Sequence, residues 1–83
     1  MTKNEFIKEI NRAIEIKPIS WTDGQAVFNY IDSKYGVARD IQFLRKIDCF
    51  HDDSLIQQFI NAAYDLIRNG NVHDYPGNNM IEE

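Results

Sequence analysis

Cysteine occurs once in the sequence, at Cys49, so no internal disulfide can form. With no signal peptide discernible, that usage points to a reducing, cytoplasmic setting. Apolar runs are short as well: none approaches the roughly 18 residues a membrane span needs. Positive charge is in deficit. The formal net charge is −4, the pI is near 5.0, and no broad attraction to phosphate backbones or anionic lipid follows. Asp74, Glu82 and Glu83 account for much of that excess, which leaves the rest nearly neutral. Disorder is excluded in turn, because 43% of the residues are hydrophobic against 27% charged. At 83 residues the chain makes one domain, which buries only about 60% of its unfolded surface.

What is present concentrates between Ser20 and Phe50, which hold the sole Trp, the sole Cys and most of the aromatic residues. Thr22-Asp23-Gly24-Gln25 has the form of a capping box, so a helix should open near Asp23. Ala26, Val27, Tyr30, Ile31 and Lys34 or Tyr35 continue it as one apolar stripe, and Gly36 supplies the stop. Phe28 falls outside that stripe. Trp21 precedes the cap, where it can pack back on the first turn.

Thr2-Lys3-Asn4-Glu5 is a second capping box, followed by Phe6, Ile7, Ile10, Ala13 and Ile14 at helical spacing. The first helix is thus expected from Lys3 to Ile16, closed by Pro18. Lys3, Glu5, Lys8, Glu9, Arg12 and Glu15 alternate in sign over its other face, the pattern of a solvated surface. Leu55, Ile56, Phe59, Ile60, Ala63, Tyr64 and Ile67 make the cleanest stripe in the chain, a helix over 54–69 entered through His51-Asp52-Asp53-Ser54.

After Gly36 the period changes. Ile41 and Phe43 alternate with Asp40 and Gln42, and Ile47 and Cys49 flank Asp48, which predicts two short antiparallel strands, 38–43 and 47–50. The fold expected is therefore α+β, in the order helix, helix, strand, strand, helix, with the hairpin packed on helices. An all-α bundle is the alternative, because Val37, Ile41 and Leu44 also fit a helix over 37–46. Residues 1–70 should form the compact domain and 71–83 a mobile, polar and acidic tail.

Chemistry has few candidates. Cys49, His51, Asp52 and Asp53 cluster in sequence, but a closed zinc site would need further ligands, such as His73 from the tail. A buried Cys49 and two acids at a helix entrance already account for these residues, so no metal or other cofactor is expected. The pairs His51-Asp52 and His73-Asp74 lack the ligand set of a metal phosphohydrolase. Cys49 with His51 as base lacks an orienting group and an oxyanion hole. No catalytic residue is assigned.

Two kinds of surface remain. Trp21, Phe28, Tyr35 and Arg39 suggest an aromatic, mixed-charge face for a protein partner or a second copy of the chain. Lys34, Arg39, Arg45 and Lys46 suggest a weak nucleic-acid contact, opposed by the interleaved Asp32, Asp40 and Asp48.

The pattern Trp21-x-x-Gly24-Gln25-x-x-Phe28-Asn29-Tyr30-Ile31, Tyr35-Gly36-Val37-Ala38-Arg39 and Asp48-Cys49-Phe50-x-Asp52 resembles small uncharacterised proteins of bacteriophage and mobile-element genomes in gut bacteria. The resemblance covers about half the chain. It implies a phage or mobile-element context, favours the hairpin, and carries over no catalytic residue. The function expected from sequence is a small, cytoplasmic, non-enzymatic protein-interaction module.

Overall fold

Both capping boxes close as the sequence spells them in the computed structural model, which describes residues 2–70. The Thr2 hydroxyl accepts the Glu5 N–H at 3.1 Å while the Glu5 carboxylate takes the Thr2 N–H, opening α1, Lys3–Ile16. Thr22 and Gln25 repeat the exchange at 3.1 and 3.0 Å and open α2, Asp23–Tyr35. Each box satisfies two of the N–H groups that a helix start leaves without a partner. Gly36 ends α2 at φ 72, and its N–H returns to the Asp32 and Ile31 carbonyls.

The expected hairpin is not formed. Residues 38–44 wind into a third helix, α3, Ala38–Leu44, and no strand occurs among the described residues, so the fold is all-helical and not α+β. The two competing patterns differ in where they put Phe43. Strand alternation sends Ile41 and Phe43 to one face, whereas helical spacing groups Val37, Ala38 and Ile41 and turns Phe43 away. Val37, Ala38 and Ile41 are fully buried and Phe43 is 66% exposed. The helical grouping docks these apolar side chains against α2 and α4 with the backbone satisfied internally, while an isolated two-stranded ribbon is marginal.

A sequence-invisible device stops α3. Lys46 adopts φ 61, and both the Arg45 and Ile47 N–H groups come back to the Ile41 carbonyl, at 3.2 and 3.3 Å. A lysine is strained there, where glycine, or less often asparagine, is usual. Lys46→Gly should therefore stabilise the fold by roughly 0.5–1 kcal/mol. Urea unfolding checks this, and a loss of stability would mean that Lys46 is not left-handed in solution.

The last helix, α4, runs Ile56–Arg68, two residues later than its stripe suggested at the start, because a 3₁₀ turn, Asp53–Leu55, precedes it. Asp52 makes that turn: its carboxylate accepts the Ser54 N–H and hydroxyl at 3.0 and 2.6 Å.

The core is one cluster. Phe6 and Ile10 of α1, Val27, Phe28 and Ile31 of α2, Ile41 of α3, Cys49 of the loop, and Phe59 and Ala63 of α4 meet in it. Helix α2 is central and packs against α1, α3 and α4. Being covered from several sides, it buries Phe28 as well as its stripe. The tail expected over 71–83 lies outside the described residues.

Candidate functional site

The loop from Arg45 to Asp52 decides what the surface looks like, and it is held by the start of α2. Gly24 sits in the first turn of that helix with its N–H donated to Asp53 Oδ1 at 3.0 Å, and its carbonyl accepts the Cys49 thiol at 3.5 Å. A methyl group on Gly24 would overlap the Cys49 carbonyl oxygen and approach Asp53 Oδ1 to 2.7 Å. Only glycine lets the loop come this close. Asp53 also places a carboxylate at the positive end of α2, where the helix dipole favours it.

Cys49 and His51 therefore part company. Cys49 is fully buried, while His51 is exposed and its Nδ1 lies 2.8 Å from Asp48 Oδ2. They do not share a strand face, since the segment forms a turn. Burial pushes the Cys49 thiol up to about 12, with Asp48 adding repulsion, which is the reverse of what a nucleophile or thiolate ligand needs. Asp52 and Asp53 are spent on the 3₁₀ turn and on Gly24. His73 and Asp74 lie outside the described residues.

A second cluster, not anticipated as a unit, joins α1 to α2. Glu9 Oε1 accepts from the Tyr30 and Tyr35 hydroxyls, each at 2.8 Å, and from Lys34 Nζ at 3.1 Å. Lys34 also lies 5.7 and 5.5 Å from the Tyr30 and Tyr35 ring centroids. Partial burial alone would raise the Glu9 carboxyl, but the hydrogen bonds from Tyr35, Tyr30 and Lys34 outweigh it and hold it below the usual value. Burial, then the bond to Glu9, pushes the Tyr35 phenol up to about 12. Glu9 had the look of a solvated residue. Its position three after Phe6 and four before Ala13 puts it at the edge of the buried stripe, and that was the available signal.

Cys49 and Tyr35 both hold their protons more tightly folded than unfolded, against ordinary values of 9.0 and 10.0. Their contribution to stability is complete below those values and is lost as pH rises towards 12. Melting temperature should thus fall steadily above roughly pH 9. A melting temperature unchanged from pH 8 to about pH 11 would contradict the burial of both groups.

Of the sequence-selected surface residues, Phe28 and Arg39 border one groove, while Trp21 lines another and Tyr35 lines neither. Phe28 is 7% exposed and packs edge-on to Phe50 at 5.4 Å, with Phe59 at 5.7 Å, so it belongs to the core. Tyr35 is partly buried against Glu9 and Phe6. Trp21 stays at the surface at the far end of α2 from Tyr35, and Ile16 and Ile19, which precede it in the chain, are exposed as well. It lines a groove of ≈ 260 Å³ with Ala13, Ile16, Pro18 and Ala26. Arg39 is exposed and only loosely paired with Asp32 at 3.9 Å.

Among the four basic residues, Lys34 is engaged by Glu9 and turned to α1. Arg45 and Lys46 are exposed and have no acidic partner among the described residues. What sequence reading missed is the apolar pair beside them, Phe43 at 66% and Leu44 at 79% exposure. Phe43 projects between two grooves. One of ≈ 220 Å³ includes Phe28, Arg39, Phe50 and His51, and the other of ≈ 520 Å³ includes Gln42, Lys46, Asp48 and His51.

No family model, curated protein or solved structure matches the chain. No helix among the described residues is long and apolar enough to cross a membrane.

Proposed function

We propose that the chain is a small, non-enzymatic protein-interaction module whose contact surface is centred on Phe43 and Leu44 of α3. The observation that carries this reading is the exposure of these two adjacent large apolar side chains beside a groove that reaches the aromatic core. Isolated exposed apolar residues are ordinary, but an aromatic anchor with an adjoining aliphatic neighbour and concave flanks is the form of an interaction surface. Arg39, chosen from the sequence, lines one flank; Trp21, with Ile16, lines a separate groove at the α1–α2 turn. A non-enzymatic role is favoured because the one thiol is buried and protonated and the acids near it already hold the loop. A cytoplasmic setting suits a single reduced cysteine, and the sequence resemblance supports a phage or mobile-element context.

The test is retention of partners from a lysate of the native host on the immobilised chain, compared with a Phe43→Asp, Leu44→Asp double variant. Both residues are exposed, so the variant should melt within a few degrees of the parent. We expect a protein held by the parent and lost by the variant. Equal retention by both would remove the motive for this surface. Recovery of nucleic acid alone, in a salt-sensitive complex, would favour Arg45 and Lys46 as a nucleic-acid contact.

A further inference from the structure

The geometry points to the chemistry of the partner: an acidic, amphipathic peptide segment, whose apolar side chain seats beside Phe43 and whose carboxylates meet Arg39 and Lys46. This inference rests on the interaction surface proposed above and adds what that surface selects. The chain as a whole carries a formal charge of −4, yet the two grooves flanking Phe43 are lined by Arg39, Lys46 and His51 against one acid, Asp48. That acid is already engaged within the chain. Its Oδ1 accepts from Gln42 Nε2 at 3.1 Å and from the His51 N–H at 3.3 Å, and its Oδ2 faces His51 Nδ1 at 2.8 Å.

Lys46, by contrast, has no acidic partner among the described residues, and Arg45 beside it has none either. Arg39 is held only at 3.9 Å by Asp32; it stands between the groove beside Phe43 and a polar groove that it lines with Asp32 and Asp40. A cationic rim around an exposed aromatic, on a chain of opposite overall charge, is complementary to a segment that carries carboxylates flanking an apolar anchor. A second copy of the chain is a poorer occupant, because it would bring its own Arg39, Arg45 and Lys46 to the same rim if the two faces met symmetrically.

Selection of displayed random 12-residue peptides on the full-length chain tests this, with an Arg39→Glu, Lys46→Glu variant and a Phe43→Ala variant as counter-targets. Enriched peptides should contain Asp or Glu flanking Phe, Leu, Ile or Trp. Their binding by fluorescence anisotropy should weaken at least tenfold on the charge-reversed variant and on Phe43→Ala, and should weaken with added salt. Enrichment of neutral or basic peptides, binding indifferent to both variants, or no enrichment would overturn the inference. Self-association of the parent that the Phe43→Ala variant abolishes would also overturn it, in favour of a second copy. If selection fails while the lysate experiment still yields a Phe43-dependent protein, the acidic chemistry is wrong and the interaction surface stands. If both fail, both readings fall.

Discussion

Gly24→Ala is expected to destabilise the protein by about 3 kcal/mol, against the ordinary gain of about 0.5–1 kcal/mol for that change inside a helix. The sign is set by what faces the residue. In open surroundings the added methyl restricts the unfolded chain and favours the helix. Here it would strike the backbone carbonyl of Cys49, and backbone cannot swing aside as a flexible side chain can. Relief requires the loop to move away from α2, which would lengthen the Gly24 N–H bond to Asp53 and uncover Cys49. Roughly 4–12 kcal/mol of total stability is usual for this length, so the loss is a large fraction of what holds the domain together. Urea unfolding of the two proteins decides the matter. An alanine variant as stable as the parent would show that the loop does not lie on Gly24.

Phe28→Ala should cost about 3–5 kcal/mol, whereas Phe43→Ala should stay within roughly 0.5 kcal/mol of the parent. Removing the Phe28 ring leaves a hole between Phe50 and Phe59, and both rings are held by elements that cannot close it, the clamped loop and α4. Phe43 is 66% exposed, so its truncation removes little buried surface. The partner effect should run the other way: Phe43→Ala weakens binding in a protein that remains folded. Equal destabilisation by the two changes would mean that Phe43 is part of the core.

The termini of α1 and α2 could be read from sequence because each depends on a local device. A Thr with Glu or Gln three residues on, and a glycine at the end of α2, act within a few positions of chain. The third helix could not be read in this way. It has seven residues, no side-chain cap at its start, and a lysine at the left-handed position that follows it. Helices this short are chosen by packing and not by propensity. In 37–43 the residues Val37, Ala38 and Ile41 argue for a helix and Ile41 with Phe43 for a strand, and only the location of α2 and α4 decides between them.

Phe28 misled for a related reason. A single apolar stripe predicts the buried face of a helix at the surface, but α2 is flanked by three others, so its buried arc is wider than one stripe. That placed Phe28 inside and left the exposed anchor to Phe43. The partnership of Glu9 with Tyr30, Lys34 and Tyr35 spans up to 26 positions of sequence and depends on how α1 crosses α2, which no spacing rule supplies.

Everything proposed for the surface depends on residues 38–44 being helical, with Phe43 turned to solvent. Heteronuclear NMR of the carbon- and nitrogen-labelled protein measures this directly. Helical carbon shifts over Ala38–Leu44, nuclear Overhauser contacts from residue i to i+3 through Ile41, and few contacts from the Phe43 ring to other elements are the predicted result. Extended shifts, with cross-strand contacts linking Ile41 or Phe43 to Ile47 or Cys49, would restore the hairpin, bury Phe43 and contradict the account.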